Sequence, residues 1–377
     1  MEIDRQKAVM SRIVIDAREY ATSTGRYIER LIHYLQQLDR ANEYLILLES
    51  KDIPAFEKNR TKSEHFMAVA CDYKEFTLSE QTKLKQQIDA LKPDLVHFGM
   101  VQQPVLYDGP AVTTIHDLTT VRFTNPTKNL AMYKAKQQIY KQVIKRAARK
   151  SRIVITPTEF VKSDLVNFAR VQPDKIIVTL ESADAIQESP APLKYLQNKK
   201  FIMYIGRPTP HKNLPRLIKA HALLRQQHPD LFLVLAGKKD ANYVRIAADI
   251  PVEQKDSVLF TDFVSEGELR WLYENCQAYV FPSLSEGFGL PGLEAMIHGA
   301  PVVSSNATCL PEVYGQAAHY FDPLSVSAIQ TAINDVLTDK TLRLTLIKAG
   351  KAQAARYSWQ RMAEQTLTIY KQVLKDS

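Results

Sequence analysis

The sequence predicts an α/β protein with parallel sheets in two similar halves. Three observations carry this. Apolar strand-like runs alternate with amphipathic helix-like stretches, the alternation lapses once, and then it begins again. In the first half, strands are expected near residues 12–15, 44–48, 95–98, 112–115, 153–156 and 176–179. Helices are expected over 25–38, 79–91, 130–150 and 163–168. The lapse is a Pro/Ala/Ser/acidic stretch at 182–192, which reads as a linker. The second cycle predicts strands at 201–205, 231–236, 258–260, 278–281 and 302–304. Its helices fall at 214–226, 266–275, 290–298 and 325–337, and the C-terminal residues also read as helical. There is no internal sequence repeat; what recurs is the βα rhythm. Open parallel sheets bind ligands outside the carboxyl ends of their strands, so the loops that follow the strands are where chemistry is expected.

The bulk properties set limits. A chain of 377 residues can form two domains of ordinary size. Hydrophobic residues at 45% and charged residues at 24% exclude wholesale disorder. No apolar run approaches the roughly 20 residues that a membrane-spanning helix needs. The opening residues, Met1 to Lys7, are not followed by an apolar stretch of signal-peptide type. Cys71, Cys276 and Cys309 are far apart and odd in number, so neither a disulfide framework nor a metal-type pair is expected. Reduced thiols in a cytoplasmic protein are the expectation. The net charge of +8 is unevenly spread. No acidic residue lies between Asp117 and Glu159, while cations run from Arg122 through Lys128, Lys134, Lys136, Lys141, Lys145, Arg146, Arg149 and Lys150 to Arg152. A field of one sign attracts anions.

The densest motif runs from Phe281 to Met296 and contains Glu286-Gly287-Phe288-Gly289-Leu290-Pro291-Gly292-Leu293-Glu294. A strand ends, a small-residue loop follows, and a helix begins near Pro291, where proline suits the first turn. Glycines permit close backbone approach, and the free N–H groups of a helix start suit a phosphate. Glu286 and Glu294 flank the turn as acceptors for hydroxyl donors, and hydroxyl-rich ligands are sugars. A plainer reading makes Glu294 a complement to the helix dipole and Glu286 a solvated loop residue. Gly287, Gly289 and Gly292 also match G-x-G-x-x-G, the dinucleotide fingerprint. That fingerprint belongs in the first βα turn of its domain, and here it falls late in the second half with Pro291 inside it.

A second motif is Gly206-Arg207-Pro208-Thr209-Pro210-His211-Lys212-Asn213-Leu214, the first βα turn of the second half. Arg207 and Lys212 beside a helix start can hold a diphosphate and stabilise it as it leaves. Two solvated surface cations are the alternative. A third motif, Thr113-Thr114-Ile115-His116-Asp117-Leu118, places a histidine just past a strand, with Asp117 able to orient it. A lone histidine is more often structural, and that is the alternative. In the fourth, Tyr20 to Tyr27, Gly25 opens the first long helix; it offers either backbone groups for a phosphate or acceptor, or a plain helix cap. There is no G-x-x-x-x-G-K-[ST] phosphate loop, no H-E-x-x-H and no D-x-D metal clamp, which favours metal-free phosphate handling by Arg207 and Lys212.

In this order the segments resemble the retaining glycosyltransferases of family four. The resemblance covers nearly the whole chain and is densest from Ser283 to Ser305, with further matches at Leu310-Pro311-Glu312-Val313, Phe321-Asp322-Pro323 and Tyr357-Ser358-Trp359. It implies the GT-B fold: two Rossmann-like doubly wound domains facing across a cleft, with a C-terminal helix crossing back to the first. The domains implied are an acceptor-binding domain over 1–185, a donor-binding domain over 186–356 and the closing helix over 357–377. It implies that Arg207 and Lys212 bind the donor diphosphate next to Gly206, that Glu294 binds ribose hydroxyls, and that Glu286 contacts the transferred sugar. Gly287, Phe288, Gly289 and Leu290 would wrap the sugar and phosphates with backbone groups. His116 would lie near the reacting carbon, and Gly25 would line the donor-phosphate or acceptor side. The family's first glycine loop often has adjacent glycines, and here Gly25 stands alone.

The implied activity is hexosyl transfer from a nucleotide-diphosphate sugar to a glycan or lipid-linked acceptor, with retention of configuration and without a metal or other cofactor. Mannosyltransferase-like members resemble the chain. The other open readings are a nucleotide-sugar epimerase or another nucleotide-dependent enzyme on a related two-domain fold, and a non-catalytic sugar-nucleotide-binding scaffold. The basic 122–152 segment reads as a helix packed on one face, or as a surface for anionic membrane on the cytoplasmic side. Nucleic acid is not expected, because the segment has no nucleic-acid motif.

Overall fold

The structure is a computed structural model that describes residues 10–22, 25–60, 64–75, 77–124 and 130–376, with backbone alone for 130–132. Thr24 of the fourth motif, Lys128 of the basic segment and the opening Met1 to Lys7 lie outside the described residues. The chain forms two compact units: Met1–Leu118 with Gln138–Glu181 and Ser358–Ser377, and Thr119–Gln137 with Ser182–Tyr357.

The first unit holds seven parallel strands: β1 (Arg12–Asp16), β2 (Glu43–Leu48), β3 (Phe66–Ala70), β4 (Leu95–Phe98), β5 (Ala111–Thr114), β6 (Ile153–Thr156) and β7 (Ile176–Val178), in the order β3-β2-β1-β4-β5-β6-β7. The second unit holds six: β8 (Lys200–Ile205), β9 (Leu231–Ala236), β10 (Val258–Asp262), β11 (Ala278–Phe281), β12 (Val302–Ser305) and β13 (Ala318–Phe321), in the order β10-β9-β8-β11-β12-β13. Both sheets thus share the doubly wound 3-2-1-4-5-6 order, the first with one strand added at its end. The strand order reverses between β1 and β4, and between β8 and β11. Inner strands such as β4, β5, β6, β11 and β12 are buried at every position, as sheets covered on both faces require.

Two strands absent from the sequence expectation, β3 and β13, are both sheet edges. Their residues are only partly covered, so their apolar signal is diluted. The helices Ile53–Asn59 and Ala241–Ala248 also go beyond the expectation. The helix expected at 163–168 begins earlier and spans Glu159–Ala169, because the Thr158 side chain caps it by accepting from Val161 N at 3.2 Å. The 182–192 stretch is pinned along the second unit. The Ile186 N–H donates to His298 Nε2 at 3.0 Å, and Ala191 N–H to Gly267 O at 2.9 Å.

The closing helix Trp359–Lys375 belongs to the first unit, where it packs on the Arg26–Leu38 helix. A buried hydrogen-bond chain holds it there. His97 on β4 meets Tyr370 OH through Nδ1 at 2.5 Å and Thr114 Oγ1 through Nε2 at 2.8 Å. Thr114 in turn meets Tyr27 OH at 3.0 Å. Complete burial, and then the charge of His116, push the His97 pKa down to about 3, so its ring is neutral at pH 7. Unfolding lets this ring bind a proton below about 6.5, so His97 withdraws stability as pH falls beneath that value. Tyr370→Phe removes one partner and leaves His97 Nδ1 without it. The expected loss is about 1–3 kcal/mol, read from urea unfolding.

Candidate functional site in the second unit

The two motif-bearing loops leave neighbouring strands. β8 and β11 pair in parallel, with Ala278 beside Ile202 and Tyr279 beside Met203. Their carboxyl ends therefore lie side by side at the point where the strand order reverses. From β8 the chain runs through Gly206 to Lys212 and into the Leu214–Leu224 helix. From β11 it runs through Pro282 to Gly289 and into the Leu290–Ile297 helix. No side chain caps either helix; Pro215 and Pro291 have no N–H, and the N–H groups of Arg216 and Gly292 donate to Asn213 O and Gly289 O, both at 3.1 Å.

The loops are tied to each other. Asn213 is 3% exposed and spends its side-chain N–H groups on Pro282 O at 3.0 Å and Pro323 O at 2.7 Å. Leu284 N–H donates to His211 O at 2.7 Å. Glu286 N–H donates to Thr308 Oγ1 at 3.1 Å, and Cys309 Sγ donates to Glu286 O at 3.3 Å.

The glycines have local causes. Gly206 and Gly289 adopt φ of 140° and 96°, a region that disfavours residues with a Cβ. Gly292 is required by packing, since a Cβ there would lie 2.2 Å from Tyr314 OH, which donates to Gly289 O at 2.6 Å. That contact explains the third glycine of the G-x-G-x-x-G match without a dinucleotide.

Lys212 Nζ pairs with Glu286 Oε1 at 2.6 Å and stands 5.5 Å from the centre of the Phe281 ring. Their side chains are only 17% and 12% exposed, so Lys212 is not a solvated cation and Glu286 is not a solvated loop acid. Arg207 is the exposed cation of the pair expected from the sequence. Glu294 is 8% exposed and accepts from Tyr273 OH at 3.3 Å. Phe288 turns its ring inward, edge-on to Tyr357 at 5.5 Å. The structure thus gathers Gly206, Arg207, Lys212, Glu286, Gly287, Phe288, Gly289, Leu290 and Glu294 in the loops and helix starts that follow the carboxyl ends of the central strands β8 and β11.

His116 and Gly25 belong to the first unit. His116 follows β5, and Glu181 follows β7 two strands away. His116 Nδ1 meets Glu181 Oε1 at 2.9 Å and Nε2 meets Gly99 O at 3.1 Å. Both partners are acceptors, so the arrangement favours the protonated ring, which can donate from both nitrogens. Burial lowers the His116 pKa, but the Glu181 bond and charge, the Gly99 carbonyl and Asp117 outweigh it and raise it above 6.5. Glu181, rather than the adjacent Asp117, supplies the hydrogen-bonded carboxylate. The stability from this pair is present in full below pH 6.5 and is lost as pH rises through the raised value. In Glu181→Gln the His116 pKa is expected to fall to its ordinary range or lower, as read by NMR titration; an unmoved pKa would refute this assignment. Gly25 N–H is engaged by Thr22 O at 3.0 Å and Thr22 Oγ1 at 3.1 Å. A Cβ there would lie 1.7 Å from Glu19 O, so tight backbone packing explains the glycine.

In the basic Leu130–Lys150 helix, Tyr140, Ile144, Ala147 and Ala148 are buried. Arg146 donates to Val105 O, Arg149 to Ala169 O at 3.1 Å, Lys150 pairs with Asp108, and Lys145 stands 5.1 Å from the Phe168 ring centre. The packed-face reading therefore accounts for the second half of the helix, and the exposed Lys134 and Lys136 remain toward its start. No helix among the described residues is long and apolar enough to cross a membrane.

Sequence reasoning passed over Asn213, Tyr273, Tyr314 and Glu181 as site-shaping residues. Their partners are distant in sequence, and no spacing rule signals them.

Comparison with known proteins places the two units in one family. Residues 186–353 match the description "Glycosyl transferases group 1", and residues 24–184 match "Glycosyltransferase Family 4". The chain is 33% identical over 276 residues to O-antigen chain mannosyltransferase B of Escherichia coli, covering 69% of this chain and 70% of that protein. It is 32% identical over 228 residues to the serotype-specific mannosyltransferase WbdA of Escherichia coli, covering 59% of this chain but 28% of that longer protein. The solved structure of Anabaena Alr3699/HepE in complex with UDP-glucose shares the fold at a TM-score of 0.72 and 17% identity, over 96% of this chain and all (100%) of that one.

Proposed function

The chain belongs to glycosyltransferase family 4 and is a glycosyltransferase of GT-B type; on that premise we propose that it moves a hexosyl group from a nucleotide-diphosphate sugar to a glycan or lipid-linked acceptor with retention of configuration. The observation that carries this reading is the Lys212–Glu286 pair at 2.6 Å. It joins a cation suited to a leaving diphosphate to a carboxylate suited to sugar hydroxyls.

In this proposal Arg207, Lys212 and the two uncapped helix starts hold the diphosphate. Glu294 accepts from the ribose hydroxyls, and Glu286 from hydroxyls of the transferred sugar. The backbone from Gly287 to Leu290 wraps the sugar and phosphates. An acceptor hydroxyl attacks the anomeric carbon from the face that the diphosphate leaves. The new C–O bond forms as the bond to phosphate breaks, and the departing phosphate oxygen takes the acceptor's proton. The protein then supplies position and charge stabilisation, with no covalent enzyme intermediate. His116, whose protonated form Glu181 favours, is assigned to the same reaction by the family resemblance. Phosphate handling rests on side-chain cations, so the reaction is proposed to need no metal.

A thermal-shift screen of UDP-, GDP- and ADP-hexoses, followed by assay of nucleoside-diphosphate release, tests this. Mannose comes first among the sugars because the relatives are named mannosyltransferases. One donor is expected to stabilise the chain and to be turned over equally in excess EDTA, with the product anomer matching the donor's by NMR. Inversion, or loss of turnover in EDTA, would overturn those parts of the reading. A cytoplasmic location with reversible membrane contact through Lys134 and Lys136 is also proposed. Co-sedimentation with anionic but not neutral vesicles is the expected result.

A further inference from the structure

We infer that the first unit carries a binding recess for a small phosphate monoester, on the sheet face opposite the closing helix and away from the strand ends that bear His116. Phe98 on β4 and Thr113 on β5 are register partners. Side chains alternate along a strand, so both point away from the face where His97 meets Tyr370. Ala111, two residues before Thr113, shares the face of Phe98 and opens β5, whereas His116 follows the other end of that strand. The 103–109 loop and the end of the Leu130–Lys150 helix are joined over this face. Thr113 OH donates to Gln103 Oε1 at 3.0 Å, Arg146 donates to Val105 O, and Lys150 pairs with Asp108. Between loop, helix and sheet lies a recess of about 150 Å³.

Its lining holds donors that lack acceptors. Gln103 and Tyr107 are 7% and 8% exposed. With its oxygen spent on Thr113, Gln103 presents its side-chain amide N–H groups. Tyr107 OH reaches Gly109, where a Cβ would stand 2.2 Å from it, so glycine leaves the hydroxyl its place on the lining. Arg146 spends Nε on Val105 O and keeps its two terminal amino groups. None of these three groups donates to an acceptor among the described residues. Buried donors without acceptors cost stability, so an acceptor that enters the recess supplies what the protein lacks. Lys150 balances Asp108, which leaves the Arg146 guanidinium as the unmatched charge of the recess. A guanidinium fork with an amide and a phenol fits a phosphate, whose oxygens accept and whose charge is opposite. Phe98 and Tyr107, edge to face at 5.8 Å, add an apolar wall for the carbon body of an ester. A cavity of about 150 Å³ holds a molecule the size of benzene, which suits a phosphate with a few carbon atoms.

The test is calorimetric titration of the intact chain with glycerol 3-phosphate, with glycerol as the neutral control. The ester is expected to bind and glycerol not to bind. Arg146 is exposed, so Arg146→Met keeps the packing of the stem and removes the charge; it is expected to weaken binding about 10–100-fold. Tyr107→Phe keeps the buried ring and is expected to weaken binding about fivefold, which holds the test open if Arg146→Met does not fold. Binding that both variants retain in full overturns the proposal, and so does equal binding of glycerol. Binding that Lys212→Ala abolishes also overturns it, because the phosphate then sits at the donor loop. Co-sedimentation with phosphatidic acid vesicles identifies the source of the phosphate. A loss in Tyr107→Phe, which changes no charge, supports the recess with a lipid headgroup as its ligand. Unchanged sedimentation beside weakened glycerol 3-phosphate binding supports it with a soluble ester.

Discussion

Lys212→Ala is expected to lower nucleoside-diphosphate release by about 10²–10³-fold, the loss that follows removal of one preorganised stabiliser of developing charge. The chain should remain folded, because Lys212 stands in a loop and the β8–β11 pairing beneath it does not depend on the side chain. Glu286 is left at 12% side-chain exposure without its cation, so a modest fall in melting temperature accompanies the kinetic loss. Circular dichroism separates the two effects. Near-normal release from a folded Lys212→Ala protein would remove the main support for donor binding at these strand ends. The fall is expected in kcat as well as in kcat/KM, because the charge on the diphosphate grows as its bond to the sugar breaks.

Glu294→Ala is expected to act differently. A hydrogen bond to a charged group contributes about 1.5–3 kcal/mol, so under the proposed role of Glu294 toward ribose its loss is expected to raise the donor KM by roughly 10–100-fold per hydroxyl. The ribose is remote from the bond that breaks, so kcat at saturating donor should fall less than in Lys212→Ala. Tyr273 OH loses its acceptor at 3.3 Å but still has Pro291 O at 3.5 Å, which limits the cost to stability. Glu294→Gln keeps an acceptor for Tyr273 and should lie between wild type and Glu294→Ala. An unchanged donor KM in both variants would return Glu294 to the plainer role of complementing its helix dipole.

The paired-loop site was legible because it is local. Each motif is a strand end, a glycine and a helix start within about a dozen residues, and the βα rhythm alone puts both at carboxyl strand ends. The inner strands were legible for the same reason, being continuous apolar runs buried on both faces. The edge strands β3 and β13 were not, because part of each faces out and its composition approaches that of a loop. In the basic helix the sequence shows one field of cations, and the structure adds what a count cannot: Lys145, Arg146, Arg149 and Lys150 all find protein partners.

By itself, then, the sequence determined the α/β class, the two cycles, the loops that carry Lys212, Glu286 and Glu294, and the family. These depend on periodicity and on short motifs, which a chain writes locally. The tertiary structure alone decided which polar groups meet. It joined Lys212 to Glu286 across 74 positions, His116 to Glu181 across 65, and His97 to Tyr370 across 273. It also set Thr119 against Ser285 in the second unit, 2.9 Å apart across 166 positions. Hydrogen bonds and ion pairs depend on distances of about 3 Å, and distances between segments so far apart in sequence are set by packing of the sheets rather than by any spacing along the chain.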